Sequence, residues 1–298
     1  MYQHFFKFTA KPFALNPDPA FLYLSRQHAE ALTMLEYGIE SQANFFLLTG
    51  EIGSGKTTVI RQLIRTLGER FAVGLISNTH TRFTSILPWA LSALNIVPSD
   101  GSDIAQYEAF TDNVVRSYGQ GKRTLLILDE AQNLSVEVLE ELRLLSNLNS
   151  EQDVALQVLL VGQPELRIKL ARAELTQFAQ RVSVDFHLER LTLNETREYI
   201  RHRLRVARGD AALFDPEAEA FIHARAGGIP RLMNQLCDLA LVYAYAEQRR
   251  SIDMQLVRLA LQERNRGRAI RIFSADQSVV TLAPKNSAAD VNPASNRI

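Results

Sequence analysis

The stretch Phe45-Phe46-Leu47-Leu48-Thr49-Gly50-Glu51-Ile52-Gly53-Ser54-Gly55-Lys56-Thr57-Thr58-Val59-Ile60 decides the fold. Its first five residues form a short apolar run, the mark of a strand buried on both faces. From Thr58 onward Val59, Ile60, Leu63, Ile64 and Leu67 recur at helical spacing. Between strand and helix, Gly50 to Thr57 fits the phosphate-loop pattern G-x-x-x-x-G-K-[ST], and strand, loop, helix is the context that pattern requires. Glycines let the backbone curl so that successive N–H groups point at phosphate oxygens. Lys56 brings a point charge to the β- and γ-phosphates of a nucleotide, and Thr57 offers a hydroxyl to Mg²⁺. The candidate nucleotide contacts are Gly50, Gly53, Ser54, Gly55, Lys56, Thr57 and Thr58.

Outward from this unit, strand and helix signals alternate. Residues 72–77, 124–128, 155–161 and 182–188 read as strands, the second and third nearly continuous in apolar residues. Helical patterns fall around and between them: one opening at Ser25 as N-cap, then 83–94 with Pro88 unexplained inside it, 107–118, 136–148, 166–170 and 173–178. The alternation specifies an α/β fold, a parallel sheet with helices on both faces. After about Leu191 the strand signal stops. Thr192-Leu193-Asn194-Glu195 reads as a capping box, Asp215-Pro216 as a helix start, and Gly227-Gly228-Ile229-Pro230 as a break before a long helix over 231–246. A last helix follows over 253–264. The expected organisation is a sheet core with an N-terminal arm over 1–190, a helical domain over 191–266, and a disordered tail over 267–298. The arm is proline-rich, and its aromatics Phe5, Phe6, Phe8, Phe13, Phe21 and Tyr23 either pack on the core or line a base-binding edge.

The buried run 125–128 delivers Asp129-Glu130 at its C-terminal end. In parallel sheets that end lines the ligand crevice. Asp129 is expected to hold Mg²⁺, and Glu130 to orient and polarise a water in line with the γ-phosphate.

Composition bounds the rest. The chain has 298 residues, 46% of them apolar, with 33 basic and 33 acidic residues, so no global field steers it to nucleic acid or membrane. A lone cysteine, Cys237, excludes an intrachain disulfide and fits a reducing compartment. Neither a secretory signal nor an apolar run of ~18 residues is visible, and a cytoplasmic location is expected. Arg197, Arg201, His202, Arg203, Arg205 and Arg208 crowd one helix, with Arg264, Arg266, Arg268 and Arg271 further on. They form either a solvated or subunit-contact face or a surface for DNA phosphates. His28 either packs in its helix or approaches a nucleotide base. Histidines and the cysteine lack metal-ligand spacing, so no metal beyond Mg²⁺ is expected.

The phosphate loop, Asp129-Glu130-Ala131-Gln132-Asn133-Leu134, Val161-Gly162-Gln163-Pro164-Glu165-Leu166 and Gly227-Gly228-Ile229-Pro230-Arg231 together resemble the AAA+ ATPases of the ExeA-like secretion family. The opening Phe5-Phe6-Lys7-Phe8, Pro12-Phe13, Asp18-Pro19 and Phe21-Leu22-Tyr23 and the later Tyr37-Gly38-Ile39 add to it, and coverage runs to about residue 266. The resemblance implies a P-loop NTPase core, an αβα sandwich, under a C-terminal helical lid. It implies ATP with Mg²⁺ as ligands, and a homo-oligomer or a hetero-oligomer with another ATPase. It implies service to secretion, pilus or exopolysaccharide export through an envelope-complex partner protein, with the chain cytoplasmic or held at the inner membrane by that partner. Close relatives act in DNA transposition, which makes an ATP-dependent DNA-binding regulator the alternative. By the same resemblance Gln163 is similar to a γ-phosphate sensor, Arg181 to the arginine that completes a neighbouring subunit's site, and Arg231 to a lid residue that contacts the γ-phosphate. Larger members carry a membrane span and a peptidoglycan-binding region that this sequence lacks, so a separate partner is expected to supply the grip on the cell wall.

Overall fold

Near-continuous apolar runs become the centre of one sheet. In the computed structural model, which describes residues 1–16, 18–77, 84–149 and 153–266, the chain opens with α1 (Tyr2–Phe5) and α2 (Arg26–Glu40). Then follow β1 (Phe45–Gly50), α3 (Lys56–Leu67), β2 (Phe71–Ile76), α4 (Leu87–Ala93), α5 (Asp103–Gly119) and β3 (Arg123–Leu128). After these come α6 (Val136–Leu145), β4 (Leu156–Gly162), α7 (Glu165–Leu170), α8 (Thr176–Ala179) and β5 (Val182–Leu188). The helical segment holds α9 (Leu193–Val206), α10 (Pro216–Ala226), α11 (Pro230–Ala246) and α12 (Met254–Arg266). All strand pairs are parallel, in the order β2-β3-β4-β1-β5.

Side chains alternate across a strand, so each central strand feeds two cores. Phe45, Leu47, Leu126, Leu128, Val158 and Leu160 join residues of α4 to α8 on one face. Phe46, Leu48, Leu125, Ile127, Leu159 and Val161 join α2 and α3 on the other. That double burial is why 124–128 and 155–161 read as continuous rather than alternating. Gln157, the polar interruption in β4, is fully buried and donates to the Ala43 carbonyl at 2.8 Å. This is the α/β sandwich expected from the sequence. Pro88 also finds its reason: it occupies the first turn of α4, where its missing N–H costs nothing. The expected start of that helix at Phe83 lies outside the described residues, as do the tail after Arg266 and with it Arg268 and Arg271.

A third hydrophobic cluster is built from the helical segment and from the arm. Tyr2, Phe8, Phe13 and Phe21 sit with Tyr199, Leu204, Phe214, Met233, Leu241 and Leu256. Phe13 meets Phe214 edge to face at 5.9 Å. The arm's aromatics thus pack in a core, but in the helical segment's core rather than the sheet's. The capping box at Thr192 and Glu195 forms in full, and Asp215 caps α10 by accepting from the Ala218 N–H.

Candidate active site

The strand order places the site. β1, carrying the phosphate loop, and β3, carrying the acids, are separated by β4. All three run parallel, so Gly50, Asp129 and Gln163 emerge at one end of the sheet. Gln163, which the chain reaches only after β3, therefore stands spatially between the loop and the acids.

The loop itself is a turn that L side chains resist. Gly53 and Gly55 have φ of +81° and +109°, and a side chain at Gly55 would collide with His28. α3 begins directly at Lys56, which brings the positive end of the helix dipole to the loop. Lys56 is 6% exposed, and its Nζ donates to the carbonyls of Gly50 at 2.8 Å and Glu51 at 3.0 Å. Burial pushes its pKa down from the usual lysine value, against the opposing pull of Glu130, Asp129 and Glu51. Ser54 is 2% exposed and its Oγ has no partner, a buried hydroxyl directed within a loop shaped for an oxygen-rich ligand.

Thr57 Oγ1 lies 3.5 Å from Asp129 Oδ2. A hydroxyl and a carboxylate oxygen converging at this separation fit the donor set of a small hard cation such as Mg²⁺. Burial raises the Asp129 pKa, with the neighbouring Glu130 carboxylate adding to the shift, while the Glu130 N–H that it accepts at 2.9 Å, Lys56 and Thr57 pull it back. Glu130 has a left-handed backbone, φ +58°, uncommon outside glycine. The turn leaves its side chain on the wall of the cavity that Lys56, Thr57 and Arg231 also line. Gln163 Nε2 donates to Glu130 Oε2 at 3.2 Å. Gln132 Nε2 donates to the same oxygen at 2.6 Å. Gln132 lies within the 129–134 motif, and nothing in the sequence marks it for a role.

The cavity continues into a second one lined by Phe21, Tyr23, His28, Thr58, Arg61 and Leu191. Both share Gly55, Tyr199, Arg203 and Pro230, so they form one cleft between the sheet and the helical segment. His28 is 3% exposed, paired with Ser25 Oγ at 2.7 Å and the Ser54 carbonyl at 3.1 Å. It packs in its helix, the first of the two alternatives left open for it, and also lines the cleft. Arg231 stands at the start of α11, its Cβ directly over Gly53 and its N–H 3.4 Å from the Gly53 carbonyl. Arg190 pairs with Glu51 of the loop at 3.0 Å. Arg181 lies elsewhere: its Nη1 donates to the Arg143 carbonyl, Ser146 Oγ and Asn147 Oδ1 at 3.1, 2.6 and 2.9 Å, a tether onto the end of α6. The basic row on α9 is largely committed within the chain. Arg197 and Arg201 face the buried Glu219 at 3.7 and 3.0 Å, and Arg203 is 8% exposed.

A phosphate loop at the end of a parallel sheet, an acid pair on a nearby strand and a helical segment across the cleft define a class. Residues 39–170 match the AAA domain family. The chain belongs to the AAA ATPases. More particularly, it is 39% identical over 247 residues to General secretion pathway protein A of Aeromonas hydrophila, a match covering 83% of this chain and 45% of that protein. The kinship with ExeA-like ATPases drawn from the motifs is thereby shown, over somewhat less than half the relative's length. Among solved structures, the Aeropyrum pernix ORC2 protein in ADPNP and ADP complexes is similar at TM-score 0.63 and 21% identity, over 86% of this chain and 72% of that one. The RuvB Holliday junction branch migration motor of Thermotoga maritima is similar at TM-score 0.51 and 18% identity, over 84% and 72%. These likenesses bear on the fold alone. Among the described residues no helix is long and apolar enough to cross a membrane.

Proposed function

We propose that this chain hydrolyses ATP to drive or switch the assembly of a cell-envelope secretion, pilus or exopolysaccharide export system. The observation that carries the hydrolytic part is the convergence of Lys56, Thr57 and Glu130 on one cavity, with Asp129 within reach of Thr57. The nucleotide's base would occupy the cleft beside His28 and Tyr23, and its phosphates the curl from Gly50 to Thr58. Thr57 and Asp129 would hold Mg²⁺, which when bound neutralises charge on the phosphate oxygens. Glu130 would orient the attacking water and take its proton. Arg231, over Gly53 at the root of α11, would sense the γ-phosphate and pass its state to the helical segment. Arg181 would complete a neighbouring subunit's site, so the working form is an oligomer. The relative named for the general secretion pathway supports the envelope setting, with a cytoplasmic protein docking through a partner. The DNA-binding alternative draws less support, because Arg197, Arg201 and Arg203 on α9 are engaged within the chain.

Two variants test the chemistry. Lys56→Ala should abolish binding of a fluorescent ATP analogue. Glu130→Gln should keep that binding while phosphate release falls by about two to four orders of magnitude, the usual worth of a general base. Full turnover in Glu130→Gln would remove the base assignment. Specific activity that rises with protein concentration would support the shared site, and tight DNA binding that needs ATP at low salt would favour the regulator instead.

A further inference from the structure

Gln132 sits where three requirements meet. A carboxylate only accepts hydrogen bonds and a backbone N–H only donates, so the partners of Gln132 dictate how its amide points. Its Nε2 donates to Glu130 Oε2 at 2.6 Å, and its Oε1 accepts from the Gln163 N–H at 3.0 Å. Gln163 closes the triangle through its own Nε2, 3.2 Å from the same Glu130 oxygen. The acid that ends β3 is thereby joined, through one side chain, to the end of the neighbouring strand β4.

The surroundings are built to hold this amide in place. Gly162 leaves the room it needs: a Cβ there would lie 2.8 Å from Gln132 Oε1 and 3.3 Å from its N. The Lys169 ammonium clasps the carbonyls of Gln132 and Leu134, fixing the backbone from which the side chain extends. Glu130 faces the cavity with Lys56 and Thr57, while neither Gln132 nor Gln163 lines it. The two amides therefore hold the carboxylate from behind without standing in its way.

We infer that Gln132 is a positioning residue for hydrolysis: it fixes the Glu130 carboxylate in the orientation facing the phosphates and ties it to Gln163 at the end of β4. This rests on the reading of Glu130 as the base. A glutamate has three side-chain torsions, and two charge-assisted hydrogen bonds to one oxygen remove most of that freedom. Near-attack geometry is sensitive at the scale of an ångström, so release of the carboxylate should slow the chemical step by about tenfold to a hundredfold. Gln132 does not line the cavity, so nucleotide affinity should be spared.

The test uses the full chain with ATP, Mg²⁺ and a fluorescent ATP analogue. Gln132→Met, which keeps the unbranched shape and removes the amide, should lower the single-turnover rate at saturating ATP by that factor, with analogue affinity within about twofold of wild type. In a Glu130→Gln background the same change should produce no further loss, because the carboxylate it positions is gone. Should melting show that Gln132→Met does not fold, Gln132→Leu carries the same test, since it too removes the amide and adds no charge. A wild-type rate in the folded variant overturns the inference, and so does a parallel loss of rate and affinity, which would mark a structural role. The two readings fail separately: an active Glu130→Gln sinks the base assignment, whereas an inactive Glu130→Gln beside a normal Gln132→Met sinks only the role of Gln132.

Discussion

Arg203 shows what a single side chain does in this molecule. Its Nε donates to the Pro12 carbonyl at 2.5 Å, its Nη2 to the Ala14 carbonyl at 3.2 Å and its Nη1 to Tyr199 Oη at 3.4 Å. Its guanidinium lies 4.8 Å from the Phe21 ring centroid and 5.7 Å from that of Tyr199. A planar fork with five donors and a stacking face suits this place, and lysine would not. Arg203→Met strands two carbonyls and frees the arm, and should cost roughly 3 kcal/mol of unfolding free energy. Limited proteolysis of the arm before Phe21 should then run faster than in the wild type. Unchanged urea midpoint and cleavage pattern would show that the arm is held by its aromatics alone. In the sequence Arg203 looked like one more member of a basic row, because helical spacing does not say that its partner would be an arm 190 residues earlier. The same limit hid Gln132, whose partners are the side chain two positions back and the end of another strand. That Lys56, Thr57, Asp129 and Glu130 come together was legible because their placement is written in local context: a loop between strand and helix, and acids at the end of a buried run.

At the scale of elements, Gly38 opposes two rules. It lies inside α2, where replacement by alanine gains about 1 kcal/mol of helix propensity. Yet a Cβ there would stand 2.5 Å from Phe46 Cε1 and 2.8 Å from Val184 Cγ2, on the strands β1 and β5 that α2 covers. Overpacking of this kind costs about 1–3 kcal/mol, and a clash with ring and β-branched atoms in a filled core belongs at the upper end. Gly38→Ala should therefore lower stability by about 1–2 kcal/mol once propensity is subtracted. Denaturant unfolding reads the sign directly, and stabilisation would mean that α2 lifts from the sheet at little cost. Strand and helix identities were legible here because the central runs are apolar on both faces and the caps at Ser25, Thr192 and Asp215 have side chains that accept from the helix. Pro88 was not, since a proline within a run of helix formers marks a helix start only once the turn before it is seen.

At the scale of the whole molecule, buried titratable groups are spread over the sheet side of the cleft and the helical segment. His28 on α2 rests against the phosphate loop, His202 on α9 against Tyr23, and His223 on α10 pairs with Thr196 Oγ1 at 2.9 Å. Burial pushes the pKa of all three below the ordinary value of 6.5. In the unfolded chain these rings take up protons as pH falls through that value, while in the fold they do not. Between there and the depressed folded values the unfolded state binds more protons, so stability must rise with pH and fall on acidification. Asp129 and Glu219 act in the opposite sense, since burial raises their carboxyls above 3.8 and 4.5, and they hold protons more readily in the fold. The histidine effect is therefore cleanest above the carboxylate range, from about pH 7.5 to about pH 5.5. Across that window the melting temperature should decline steadily, and the decline should be smaller when His28, His202 and His223 are all replaced by glutamine. A flat melting profile in the wild type, or an equal slope in the triple variant, would mean that these rings charge in the folded chain without penalty.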